Sequence, residues 1–370
     1  MKIGFVGANY TTKHLLNELS KSHDIVVWSS YKPDPPVSDA IRFHLTPRSW
    51  QWANRLKRRL KAQRMIPNYM KGLIPSLRAE QPDVLVVMDF VRLWYWQALF
   101  YAYRHPETKL ILLSQTKRTP RALTSKLGYW LLLGVARLTQ RRLHYVLTYH
   151  PDGTAYLRRH FHHVPITHFA FPILEDTPRY TEPTPGSTVK VLMPARFAGF
   201  KRHHDVIDAV EQLPEDTDIQ IDFATFTNDS APLREEITER VESSPQSDKL
   251  NVTDPIPKPF TNYHERLAHY DAVLLPSEYE GVGAVIPAAL RSGRPAITSD
   301  TVGANIFMKD GQTGHIVPTG DVDTLAATLQ TLDSNTLQKQ GAAAAQRMRE
   351  DFSADSCAQY FLELINPTRI

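Results

Sequence analysis

Short apolar runs alternate with longer amphipathic stretches from the first residues of the chain. Runs at 2–6, 25–28, 84–87, 110–113 and 145–147 have the length and composition of buried strands. Between them, residues 12–20, 50–64, 94–103 and 125–142 are long enough for crossover helices, which predicts a parallel sheet covered by helices. The alternation stops over 172–187, where Pro172, Pro178, Pro183, Pro185 and Gly186 lie among Thr, Glu and Asp, as in a linker. It resumes with strands at 189–193, 219–223, 250–252, 272–275 and 296–298. Helices are expected at 204–212, 232–242, 263–269 and 284–292, with a helical stretch after Asp321. The expected fold class is α/β with two Rossmann-like domains, 1–174 and 189–349, joined by a linker at 175–188. A terminal segment at 350–370, with a helix at 353–364, is expected to cross back to the first domain.

Length agrees with two cores, since 370 residues exceed the roughly 100–200 typical of one domain. No run of 18 apolar residues suggests a membrane span, and the opening Met-Lys-Ile-Gly-Phe-Val-Gly lacks the longer apolar region of a signal peptide, so a cytoplasmic protein is expected. One cysteine, Cys357, leaves no internal disulfide and no cysteine zinc site. The net charge of +4 conceals an asymmetry. Residues 1–174 hold 26 Lys/Arg and 9 Asp/Glu, a net of +17, and the remainder holds 17 and 30, a net of −13. A basic half of this kind suits an anionic partner such as a lipid leaflet or a pyrophosphate-linked lipid.

Ligands of open α/β sheets bind beyond the carboxyl ends of the strands, so chemistry is sought there. After the first strand, Gly4, Gly7, Ala8, Asn9 and Tyr10 form a turn that could admit a phosphate or sugar. Its Gly-x-x-Gly, with Ser29 and Ser30 after the second strand, departs from a nicotinamide dinucleotide fingerprint. Strand 189–193 runs into Pro194-Ala195-Arg196-Phe197-Ala198-Gly199-Phe200-Lys201, placing two cations at one mouth, where they suit a diphosphate leaving group. Strand 272–275 delivers Pro276-Ser277-Glu278-Tyr279-Glu280-Gly281-Val282-Gly283. The glycines let backbone amides approach a phosphate and Glu280 offers an acceptor for hydroxyls.

Arg196 with Lys201, this run, Ser292-Gly293-Arg294-Pro295 and Asp310-Gly311-Gln312-Thr313-Gly314-His315-Ile316-Val317-Pro318 resemble, in order and spacing, the retaining glycosyltransferases of family 4, which have the GT-B fold. The resemblance covers residues 189–335. It implies two Rossmann-like domains facing each other across a cleft, the first binding the acceptor and the second a nucleotide sugar. It implies a hexosyltransferase using a UDP- or GDP-sugar, without a further cofactor or metal. By position, Arg196 and Lys201 inherit the donor diphosphate, and Glu280 the donor sugar, with Val282 and Gly283 amides beside it. The donor site is expected to comprise Gly7, Arg196, Lys201, Glu278, Tyr279, Glu280, Gly281, Val282 and Gly283. Two positions depart from the family pattern. Ala288 stands where a second glutamate holds the ribose, with Glu278 a candidate substitute, and Gly303-Ala304-Asn305-Ile306 lacks the usual Gly-x-x-Glu. A catalytically silent relative acting as a binding or scaffold subunit is the alternative these departures raise.

In the first half, Asp89 follows strand 84–87 and is the general-base candidate if the reaction inverts. Ser114, Gln115 and Thr116 end the next strand. With retention, the departing phosphate takes the acceptor proton instead. Trp50 and Trp52 beside Arg55, Lys57, Arg58, Arg59, Lys61 and Arg64, and Tyr129 to Leu133 near Lys126, Arg137, Arg141 and Arg142, suit an anionic membrane surface and a glycan or lipid-linked acceptor, unless the second stretch simply packs a core. Interleaving with Trp and Leu argues against nucleic acid. His160, His162, His163, His168, His203 and His204 follow no metal-ligand spacing.

Overall fold

The structure is a computed structural model that describes residues 1–7, 12–30, 38–46, 69–115, 123–170, 188–226, 231–256, 261–280, 283–301 and 303–366, without the side chains of 123–127, 231, 261, 262 and 304. The helix expected at 50–64 and the linker expected at 175–188, apart from Thr188, lie outside them. The chain divides into two compact units, Met1–Ile173 with Ala354–Ile370, and Leu174–Ser353.

Unit 1 is built on seven parallel strands: β1 (Lys2–Val6), β2 (Asp24–Ser29), β3 (Arg42–Leu45), β4 (Val84–Met88), β5 (Lys109–Ser114), β6 (Leu143–Thr148) and β7 (Ile166–His168), in the order β3-β2-β1-β4-β5-β6-β7. Its helices are α1 (Lys13–Leu19), α2 (Leu73–Glu80), α3 (Leu93–Arg104), α4 (Leu123–Thr139) and α5 (Pro151–Arg158). The central strands are apolar at nearly every position because helices cover both faces of a parallel sheet. Trp28 anchors this core. It is fully buried, its indole N–H donates to Ser76 Oγ at 2.8 Å, and a Cβ on Gly4 would come within 2.7 Å of its ring. The terminal helix Ala354–Ile365 also packs in unit 1: Phe361 meets Phe5 and Phe169, and Lys109 Nζ donates to the Ile365 carbonyl at 2.9 Å. Cys357 is buried there, its thiol donating to the Ala170 carbonyl at 3.3 Å.

Unit 2 has six parallel strands: β8 (Val189–Pro194), β9 (Ile219–Ala224), β10 (Leu250–Val252), β11 (Ala272–Leu275), β12 (Ala296–Ser299) and β13 (Gly314–Val317), in the order β10-β9-β8-β11-β12-β13. Its helices are α6 (His203–Glu211), α7 (Ala231–Glu242), α8 (Thr261–Leu267), α9 (Val285–Arg291), α10 (Val322–Gln330) and α11 (Ser334–Glu350); the terminal helix of unit 1 is α12. Gly341 lets α11 approach closely, since a Cβ there would lie 2.0 Å from the Gly293 carbonyl oxygen just after α9.

Strands β3, β7 and β13 and helices α2 and α5 do not stand out in the sequence pattern, because they are short and lack a clear period. β3 reads exposed, half-buried, half-buried, exposed.

Each unit ends a helix with an arginine turned inward, buried in one case and half-buried in the other. Arg294, wholly buried, donates to the carbonyls of Leu267, Tyr270 and Ser292 at 2.8–3.1 Å, closing α8. Arg142 donates to those of Ala102, His105 and Thr108, closing α3. In both, a guanidinium fork adds charged donors to carbonyls clustered at a helix end. Arg294→Met is expected to cost unit 2 about 3 kcal/mol, as several carbonyls lose a charged donor. The check is urea unfolding followed by far-UV circular dichroism. Tryptophan fluorescence, whose six residues all lie in unit 1, should keep its midpoint.

Candidate donor site at the strand switch in unit 2

Crossovers from β8 go to one side, toward β9, and the strand that pairs with its other edge is β11, so the strand order reverses between β8 and β11. A reversal of this kind is the position where doubly wound sheets take ligands. Arg196 and Lys201 follow β8, and Glu278, Tyr279 and Glu280 follow β11.

The two loops are fastened to each other. The Glu278 amide donates to the Phe200 carbonyl at 2.8 Å, and the Phe200 and Tyr279 rings stack with centroids 4.9 Å apart. Lys201 Nζ forms an ion pair with Glu280 Oε1, with both side chains largely buried. Arg196 is exposed, its guanidinium 6.0 Å from the Phe200 ring centroid, and among the described residues it has no carboxylate partner. Lys201 lies in a single 3-10 turn, Gly199–Lys201, after which Arg202 takes a left-handed conformation (φ 60°) and binds Asp205 at the start of α6.

Gly283 has φ 58°, a conformation glycine adopts without strain, and its carbonyl accepts from the Ile286 amide in the first turn of α9. Gly281 and Val282 lie outside the described residues. Ala288 is completely buried in α9, whose first turn is held by the Tyr263 hydroxyl donating to the Val285 carbonyl at 3.1 Å. Asn305 holds strand β12 instead: its side-chain oxygen accepts from Thr298 Oγ1 at 2.6 Å and its Nδ2 donates to the Ser299 carbonyl at 2.9 Å.

A band of hydroxyls lies behind the site, and the motifs do not point to it. The Ser277 carbonyl accepts from Ser299 Oγ at 2.5 Å and Thr301 Oγ1 at 3.0 Å, Thr301 meets Thr319 at 3.0 Å, and Thr319 is bonded to Asp300. These residues tie the carboxyl ends of β11, β12 and β13 together. Their one signal in the sequence is a Ser or Thr at the end of each strand.

In unit 1, Gly7 and Asp89 occupy the matching switch between β1 and β4. Gly7 (φ 82°) lies against the Trp94 ring, which leaves about 3.0 Å for any Cβ, and Trp94 donates to the Met88 carbonyl at 2.6 Å. Asp89 is buried with φ 55°, and its Oδ1 accepts from the Gln115 amide at 2.8 Å. Burial pushes its carboxyl up from 3.8, against the opposing effects of that amide and Arg92. Thr116 lies outside the described residues.

The histidines are separately engaged. His203 stacks on Phe197, His204 pairs with Glu236 at 3.0 Å, and His160 packs edge-on against Trp130. The His162 and His163 amides donate to Gln140. Among the described residues no group of three or more His, Cys, Asp or Glu side chains could hold a metal ion.

Residues 178–350 match the family model described as Glycosyl transferases group 1. A stretch of 98 residues is 37% identical to the glycogen synthase of Mycobacterium tuberculosis, covering 25% of this chain and 24% of that protein. The chain thus spans about a quarter of the length of the curated relatives it matches. The Anabaena protein Alr3699/HepE solved with UDP superposes with a TM-score of 0.69 at 14% identity, over 100% of both chains. The lipopolysaccharide outer core galactosyltransferase WaaB in its apo form superposes with a TM-score of 0.68 at 15% identity, over 99% of both. The fold is GT-B, and the similarity to the group 1 glycosyl transferases lies in residues 178–350, the part of the chain that holds the candidate site.

Asp89 supplies a pH prediction. A carboxyl whose folded pKa is raised binds more protons in the native state, so its contribution is complete below pH 3.8 and lost as pH rises through the folded pKa. Asp89→Asn removes that loss, keeps an acceptor for Gln115, and suits the left-handed backbone. The unfolding midpoint read by tryptophan fluorescence is expected to rise at pH 7 and to stay unchanged below pH 3.8.

Proposed function

We propose that the chain is a nucleotide-sugar-dependent hexosyltransferase that moves a sugar from a nucleoside diphosphate, UDP in the first instance and GDP in the second, to a hydroxyl of a glycan or lipid-linked acceptor. It works as a peripheral protein at the cytoplasmic face of a membrane. The observation that carries this reading is the convergence of Arg196, Lys201 and Glu280 at the β8/β11 switch. Support for UDP comes from the Anabaena neighbour solved with that nucleotide.

Transfer breaks the bond between the sugar's anomeric carbon and the diphosphate oxygen, and negative charge grows on the departing diphosphate. Arg196 and Lys201 stabilise that charge where it develops. Because Glu280 already balances Lys201, Arg196 brings the uncompensated positive charge to the mouth. Glu280 turns its carboxylate to the donor sugar's hydroxyls once the phosphate takes a share of Lys201. With retention, the acceptor oxygen attacks from the face the diphosphate leaves, and a phosphate oxygen receives the acceptor proton. No enzyme base and no further cofactor are required, and Asp89 keeps its hold on the Gln115 amide.

Ala288 favours a second reading, a nucleotide-binding relative without turnover, since a buried methyl cannot clamp a ribose. Calorimetric titration with UDP and GDP tests the first step. Arg196→Ala is expected to weaken nucleotide binding at least about tenfold, equivalent to about 1.4 kcal/mol. Unchanged affinity would remove the diphosphate from this mouth, and binding without sugar transfer to any acceptor would favour the second reading.

A further inference from the structure

The largest apolar side chains left exposed among the described residues are concentrated on two helices of unit 1. On α4, Leu131 is 70% exposed, Val135 41% and Leu138 83%, at the i, i+4, i+7 spacing of one helical face, with Trp130 beside them at 47%. The opposite face is already spent: Tyr129, Leu133 and Ala136 are buried in the core. Helix α4 is therefore apolar on both sides, and no described residue of unit 1 covers these outer side chains. Phe100 and Tyr103 are exposed on α3, whose last turn is pinned to the end of α4 by Arg142.

The charge around α4 is predominantly positive, with Glu107 beside Arg142 at the end of α3 as the nearby carboxylate. Arg137 and Arg141 line the shallow groove along α4, closed on its far side by His162 and His163. Asp152 is the single acidic residue between 108 and 174. A second copy docking through the same patch would set these arginines against each other with no carboxylate in the groove to answer them. An anionic bilayer answers both features, as leucines enter the acyl region, Trp130 sits at headgroup depth, and arginines meet lipid phosphates. Among the described residues no helix is long and apolar enough to cross a membrane, which fits contact at the surface.

We infer that the outer face of α4, formed by Trp130, Leu131, Val135 and Leu138 and flanked by Arg137 and Arg141, docks on an anionic lipid bilayer. This deepens the proposed function and rests on it for the lipid-linked acceptor. The docking itself needs no donor, so nucleotide calorimetry and lipid binding fail independently.

The test is flotation of the full chain with vesicles of phosphatidylcholine alone or mixed with phosphatidylglycerol, at low and physiological salt. The wild type should float with the mixed vesicles. Leu131→Glu/Leu138→Glu alters only exposed positions and should lower partitioning at least about tenfold, with an unchanged circular dichroism spectrum and unchanged UDP affinity. Arg137→Gln/Arg141→Gln should lose most of the preference for phosphatidylglycerol. Wild type left in the lipid-free fraction, or a leucine variant that floats as well as wild type, would overturn the proposal. So would sedimentation showing that wild type self-associates through this face and the leucine variant does not.

Discussion

The ion pair between Lys201 and Glu280 joins the two loops on which the candidate donor site stands. Loops that leave neighbouring strands at a switch point diverge, and nothing in the sheet itself holds their tips together. Here a buried cation and a partly buried carboxylate close the gap, assisted by one backbone hydrogen bond and one aromatic stack. Removing a single partner from a buried pair strands the other charge, at a cost of about 3–5 kcal/mol. The pair is thus a constraint on geometry more than a source of stability. It presents a locally neutral pair, which leaves exposed Arg196 and exposed Glu278 as the charges at this mouth.

Behind that pair the strand ends are locked by short polar contacts instead of charge. Ser299, Thr301 and Thr319 bridge three consecutive strands through the Ser277 carbonyl and Asp300. Gly341 brings α11 onto the end of α9, and Arg294 closes α8 on the same side of the sheet. A site that must distinguish a transition state from a ground state needs donors already in place. The hydroxyl contacts fix the carboxyl ends of these strands, whereas Gly341 and Arg294 act at the opposite end of the sheet, just ahead of β12.

Much of unit 2 is legible in the sequence because its signals are local. Strands 189–193 and 272–275 are apolar at every position or nearly so, and the cations and carboxylate follow them directly in sequence, so finding the strands locates Arg196, Lys201 and Glu280. What escapes depends on contacts distant in sequence. The pairing of Lys201 with Glu280 spans 79 residues, and Arg294 binds carbonyls 24 and 27 residues upstream. No spacing rule reveals either. Short strands β3, β7 and β13 are specified by the neighbours they pair with more than by their own composition. The stretch 129–133 is uniformly amphiphilic in sequence, and only packing separates buried Tyr129 and Leu133 from exposed Trp130 and Leu131.

Unit 1 uses the same topology with, among the described residues, no ion pair at its switch. Gly7 and Asp89 occupy positions equivalent to the strand ends of the donor site, yet the turn is filled by the Trp94 ring and the carboxylate is committed to a backbone amide. Asp89 is buried in a left-handed conformation that asparagine and aspartate tolerate better than bulkier residues do. A carboxylate so placed is well suited to fixing the β5 loop and poorly suited to moving toward an acceptor. If the departing diphosphate carries the proton, no conflict arises. The carboxylate can then remain a structural acceptor, and on the proposed reading the +17 of this half serves attraction to an anionic surface.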